Sequence, residues 1–369
     1  MMFKTFRHLQ RTVVGLAAVV LFHILVIENS TAEKWEIISQ LPTHREKFST
    51  AVVNDKIYLI GGTPFENRNG PFGMSLVEVY DPQTNRWSRA ADMPTPRSNA
   101  KAAVVDGKIY VLSGHDGIDR RIVNNEPLKV VEIYDPKTDT WMRKQDMPTV
   151  RGQFSISAVA GKIYAIGGSN FLENPWRFRF VESYDPETDT WGKHPKMPTI
   201  RDRVRTGVVN GDIYVIGGAG WPPGANGGPH LSTVEVYHPK TNRWSKRPNM
   251  PNLRISFSTV SLDGVIYLIG GFVWQNRDLK YLATVDAYNP ETEKWSDIPP
   301  ISIPFIPHDA AAIDGKIYVL GGTWRKGVGK ETVYVATVEV FDTGFRAVEA
   351  MNKLSTRWGE LKSKHPPQP

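Results

Sequence analysis

Six segments of this chain are versions of one strand: KIYLIGG (56–62), KIYVLSG (108–114), KIYAIGG (162–168), DIYVIGG (212–218), VIYLIGG (265–271) and KIYVLGG (316–322), spaced 50 to 54 residues apart. Recurrence at such a period means that one supersecondary unit is built repeatedly and buries its apolar faces against its neighbours. After a variable loop comes a second recurrent strand: LVEVYDP (76–82), VVEIYDP (130–136), FVESYDP (180–186), TVEVYHP (233–239), TVDAYNP (284–290) and TVEVFDT (337–343). Six residues beyond the Asp, His or Asn of the first five stands a tryptophan: Trp87, Trp141, Trp191, Trp244 and Trp295.

Local chemistry explains these choices. Before each first strand stands a two-residue turn (Asn54-Asp55, Asp106-Gly107, Ala160-Gly161, Asn210-Gly211, Asp263-Gly264, Asp314-Gly315), mostly pairs that tolerate the positive φ of a tight hairpin. Asp81-Pro82-Gln83-Thr84 and its counterparts make a second tight turn, with proline presetting φ. The diglycine lets the backbone bend where sheets crowd together. Each tryptophan can bury ~150–250 Å², a gross gain of roughly 4–6 kcal/mol at ~25 cal/mol/Å². The tryptophans are therefore read as structural. Aromatics at 11%, with 31 glycines and 27 prolines in 369 residues, fit many short strands joined by turns.

The diglycine with its spaced Tyr and Trp resembles the kelch repeat, and the resemblance covers roughly residues 33–345. Ser113 in place of the first glycine is a departure. The resemblance implies an all-β, six-bladed β-propeller. Five tryptophans follow six diglycine strands, so one blade lacks its outer strand. Lys34-Trp35-Glu36 followed by Leu41-Pro42-Thr43 mirrors Arg86-Trp87-Ser88 followed by Met93-Pro94-Thr95. An N-terminal strand carrying Trp35 is expected to complete the last blade and remove two sheet edges. Residues 345–357, with Val348 where the Trp belongs, compete for that slot. Trp35 is favoured, which leaves 346–369 as a tail.

Residues 1–32 join a basic stretch (Lys4, Arg7, Arg11), an apolar run at 12–27 and small residues at Ser30-Thr31-Ala32. That is the pattern of a secretory signal, and an uncleaved N-terminal anchor is its alternative. Either makes the chain an exported one, periplasmic or extracellular, with no further membrane span. The absence of cysteine excludes disulfides, thiolate metal sites and cysteine nucleophiles. The net charge of +7 is spread without a run of five like charges, and no nucleic-acid partner is expected.

Function is expected on the face that carries the variable loops and the links between blades. Two features meet there. Arg45, Arg97, Arg151, Arg201 and Arg254 stand sixteen residues before the diglycine, with Phe305 in the sixth place; Arg203, Arg205 and His308 lie close by in sequence. Five guanidiniums ~10 Å apart would repel by ~0.4 kcal/mol per neighbouring pair even in water, so they need carboxylates, carbonyls or an anionic ligand. Either each arginine braces its own blade, or Arg45, Arg97, Arg151, Arg201, Arg203 and Arg254 with His308 form an anion-receptive mouth. Some kelch proteins hold acidic ligands with arginines at this repeat position. The second feature is a set of loop aromatics outside the repeat pattern: Phe65, Phe72, Phe178, Phe272 and Tyr281, with Trp176, Trp221, Trp274 and Trp324 as the contact candidates. They can equally anchor the loops.

Catalytic signatures are missing. His44, His115, His230 and His308 show no metal-ligand spacing, and no nucleophile elbow, phosphate loop or dinucleotide fingerprint appears. The copper oxidases built on kelch propellers need a cross-linked cysteine. No metal or cofactor is expected. The leading expectation is a monomeric, non-catalytic binding module for a protein, acidic peptide or anionic glycan. Its alternative is a sugar-modifying enzyme similar to the periplasmic kelch mutarotases that act on sialic acid. A deep pocket with a carboxylate or His facing the arginines would favour the enzyme, and a broad, shallow, aromatic-rimmed surface the binder.

Overall fold

The computed structural model describes residues 34–65, 73–116, 126–170, 177–220, 229–275, 278–325 and 332–344. The expectations for residues 1–33, Phe72, Trp176, Trp221 and the tail from 345 onward lie outside them. Six four-stranded antiparallel sheets form the blades of a propeller. Blade 1 runs Ser49–Val53, Lys56–Ile60, Val77–Asp81, Arg86–Ala90 from the inner to the outer strand. Blades 2 to 5 repeat this order from Lys101–Val105, Ser155–Val159, Arg205–Val209 and Ser258–Leu262. Each inner strand packs beside the next, and Ile306–Ile313 of blade 6 returns to Ser49–Val53. Among the described residues, no helix is long and apolar enough to cross a membrane.

The core lies in the six seams between sheets. Ile57 and Leu59 face blade 6, where they meet Tyr318 and Leu320, while Tyr58 and Ile60 face blade 2 and meet Ile109 and Val111. A second strand sandwiched this way has no polar face, which is why IYLI and its copies read as unbroken apolar runs. The turns between inner and second strands have positive φ at both residues, as at Asn210 and Gly211 (53° and 80°). That is the twist a two-residue hairpin requires.

Closure follows the expected route. Trp35–Gln40 pairs antiparallel with Thr332–Asp342, Trp35 opposite Phe341, and becomes the outer strand of blade 6. Trp35 Nε1 donates to the Pro299 carbonyl of blade 5 at 2.7 Å, as Trp295 donates to Pro248 of blade 4 and Trp141 to Ala91 of blade 1. Each tryptophan thus fastens its blade to the preceding one. Trp87 completes the circle by donating to Ser39 Oγ of the N-terminal strand at 3.0 Å.

Candidate ligand site at the channel mouth

The recurrent arginines are braces. Arg45, Arg97, Arg151, Arg201 and Arg254 are all fully buried. Each pairs with the acid at the second position of its own blade's third strand: Glu78, Glu132, Glu182, Glu235 and Asp286. Further guanidinium hydrogens go to backbone carbonyls, from Arg97 to Val111 and Val130 and from Arg254 to Gly270 and Thr284, and Arg97 Nε donates to Met93 Sδ. Burial pulls the Arg97 guanidinium down to about 10 while Glu132 opposes it, so the guanidinium stays charged at neutral pH. The Arg97 backbone carbonyl also accepts from Gly62 N–H of blade 1 at 3.0 Å, so one residue ties two blades. The anion-receptive mouth expected from these five residues is therefore corrected: their charges are satisfied inside the sheets. In blade 6, Phe305 takes the arginine's place, and Glu339 accepts from Ser302 N–H and Oγ–H instead.

The mouth is built from the residues just after each arginine. Two positions on stand Lys47, Asn99, Gln153, Arg203 and Ser256, all with φ between 53° and 58°, and Pro307. Asn99 N–H donates to the Lys47 carbonyl and Arg203 N–H to the Gln153 carbonyl, both at 2.8 Å, which links these rim residues from blade to blade. Lys47 pairs with Glu46 at 3.1 Å near the surface, and Arg203 Nε donates to Gln153 Oε1 at 2.9 Å. Four positions after the arginine, opposite the residue that precedes the diglycine, stand Ser49, Lys101, Ser155, Arg205, Ser258 and Asp309. Serines therefore alternate with charges around this throat, and blades 2, 4 and 6 contribute Lys101, Arg205 and Asp309.

A cavity of about 180 Å³ opens between these groups. Ser49 and Ser155 are engaged with the following blade, through the Ala100 carbonyl and Thr206 Oγ1. Asp309 accepts from Thr50 N–H at 2.8 Å and from Ala310 N–H at 3.0 Å. Arg205 donates through Nε to the Phe257 carbonyl at 2.6 Å and through Nη1 to the Val204 carbonyl at 3.2 Å. Lys101 and Arg205 form no ion pair among the described residues; Asp309 acts on both only through space. Burial, then the charge of Arg205, pulls the Lys101 ammonium down to about 8, with Asp309 opposing. An anion arriving between the two cations would relieve that penalty.

His308 lies at the edge of the same cavity, its ring 5.5 Å from Phe48, with Nε2 buried and without a partner. Burial, reinforced by Lys47, pulls it down to about 3, so it is neutral at physiological pH. Of the loop aromatics, Trp274 and Trp324 are half-buried, each in a β-hairpin (Phe272–Gln275 with Asp278–Tyr281, and the distal end of Lys316–Arg325 with Thr332–Asp342). Trp324 packs against the seam of blades 5 and 6, and Phe178 is buried beside Phe180, so both anchor loops. Sequence reasoning passed over Lys47, Lys101 and Asp309. The offsets of two and four residues from each arginine, and from Phe305 in blade 6, would have located all of them.

The KLHDC2/KLHL20/DRC7 Kelch-repeats domain model matches residues 20–168 and 146–322, and the Kelch motif model matches residues 304–353. Kelch-like protein 35 of Mus musculus is 28% identical over 324 residues, which cover 88% of this chain and 42% of that protein. Kelch-like protein 36 of Mus musculus is 30% identical over 268 residues, 72% of this chain and 33% of that protein. The chain thus spans less than half the length of these curated relatives. Among solved structures, that titled "Structure of YjhT" superposes with a TM-score of 0.65 at 17% identity, covering 81% of this chain and 95% of the other; it shares the fold.

Proposed function

Because this chain belongs to the kelch-repeat family, we propose that it works as a binding module that takes an acidic segment of a partner, protein, peptide or glycan, at the loop-bearing end of its channel. One observation carries this reading: Lys47, Lys101, Arg203 and Arg205 surround the mouth, and none is tied into the arginine–acid braces. Cations gathered at a low-dielectric opening focus their field and raise the local concentration of anions. The leader-like segment at 1–32 supports placing this activity outside the cytoplasm. Mass spectrometry of the mature N-terminus tests that placement, with cleavage after Ala32 expected.

The binding test is a panel of acidic peptides and anionic glycans presented to the wild type and to Lys47→Ala/Arg203→Ala. At least tenfold weaker binding, with salt sensitivity to match, is the expected result. Equal binding by the two proteins would overturn the reading.

A second reading, sugar modification, is favoured by Asp309 and neutral His308 beside the throat cations, a carboxylate and an imidazole bordering one cavity. NMR exchange spectroscopy of sialic acid anomers with and without the protein tests it. Unaltered exchange rates would dismiss it.

A further inference from the structure

The throat differs from the rim above it in having an acid in its ring. Its volume of about 180 Å³ leaves room for a small molecule beside the three charges. Its charges come from alternate blades, so Lys101, Arg205 and Asp309 approach the channel axis from three directions a third of a turn apart. Two cations facing one carboxylate leave a single excess positive charge.

We infer that the throat is a site for a small monocarboxylate carrying a hydrogen-bond donor, an ammonium or a hydroxyl, placed away from its carboxylate. The inference rests on the reading of the mouth as anion-receptive and names the group that this end of the channel accepts. The carboxylate goes between Lys101 and Arg205, whose Nζ and Nη2 have no acceptor among the described residues. The donor goes to Asp309. Its two oxygens accept one backbone N–H each and keep lone pairs for more. A bare carboxylate would leave Asp309 facing an apolar group. A dianion would set a second negative charge against it, and like charges at close range repel. Thr206 and Thr259 add hydroxyls to the wall, so the remaining surface is polar as well. A site built to hydrogen-bond a ligand donor discriminates sharply against the analogue that lacks it.

Titration calorimetry of the full chain with L-lactate, L-alanine, propionate and glycerol tests this. Lactate or alanine should bind at least tenfold tighter than propionate, and glycerol should not bind. Preference for alanine identifies an ammonium and preference for lactate a hydroxyl. Lys101→Met should weaken every carboxylate tenfold or more. Asp309→Asn retains an acceptor for Thr50 N–H and should erase the preference over propionate. Circular dichroism confirms the fold of both variants. If lactate and alanine bind no better than propionate, or Lys101→Met binds like the wild type, the inference fails. Rim and throat separate the two readings. Acidic peptides lost on Lys47→Ala/Arg203→Ala, with no small acid bound, would leave the proposed function standing without this site. Small acids bound by a chain that ignores acidic peptides would do the reverse.

Discussion

Arg97 Nη2 donates to Glu132 Oε2 at 2.7 Å, and the two side chains are hidden from solvent between the strands of blade 2. Breaking such a pair by removing one member leaves an uncompensated buried charge and costs about 3–5 kcal/mol. Arg97→Ala is expected to lower stability by that amount in urea denaturation. Arg97→Ala/Arg151→Ala, which strands Glu132 and Glu182 together, should be largely unfolded, because whole domains are stable by only about 5–15 kcal/mol. Replacing both members, Arg97→Met with Glu132→Leu, should cost less than Arg97→Ala alone.

Closure rests on Trp35, which is buried, stacks on Phe341 with ring centroids 5.2 Å apart and bonds across the seam to blade 5. Trp35→Ala should destabilise by about 3–5 kcal/mol, the usual range for a buried aromatic cut to alanine. Deleting residues 1–40 leaves Thr332–Asp342 as an unpaired edge. Such edges recruit strands from other molecules, so size-exclusion chromatography should show dimers or larger species.

Lys101 supplies a pH signature. Its folded value, about 8, lies below the ordinary 10.5, so the native state is penalised while this side chain carries its proton. Between pH 8 and 10.5 the unfolded chain binds the extra proton, and stability therefore rises with pH. The groups that set the shift besides burial are Arg205, which lowers it, and Asp309, which opposes. Urea unfolding between pH 7.5 and 9.5 should show a steeper rise in the wild type than in Lys101→Met; parallel curves would contradict the assignment. The upper limit avoids the tyrosines, whose burial raises them and makes alkaline pH destabilising.

Ser113 occupies a glycine position with φ at 58°, and its Oγ donates to the Arg151 carbonyl of the next blade at 2.9 Å. At the equivalent Gly61, with φ at 66°, a Cβ would come within 2.4 Å of the Arg97 carbonyl. At Ser113 the side chain meets the equivalent carbonyl as a hydrogen-bond donor. Ser113→Ala loses the bond, keeps the left-handed backbone and should cost about 1–2 kcal/mol. Ser113→Gly loses the bond but relieves the backbone, and should be nearly neutral. Thermal denaturation of the pair distinguishes the two effects. Gly61→Ala meets backbone rather than a flexible side chain, and should be worse than either.

Six blades, their hairpin turns and the N-terminal clasp were legible from residues alone. Repetition averages over local noise, Asn-Gly and Asp-Gly pairs report positive φ directly, and Trp35 repeats the chemistry of Trp87. The recurrent arginines were legible too, but not their role. A guanidinium at a strand start can face water or turn inward, and only the placement of Glu78, Glu132, Glu182, Glu235 and Asp286 within reach shows that it turns inward. The same holds for Lys101, Arg205 and Asp309. They are about one hundred or two hundred residues apart in sequence and meet only because the ring closes. Sequence determines the unit, since a strand and its turns are local. Which side chains converge on the axis is decided by the tertiary structure, because convergence is a property of all six units at once.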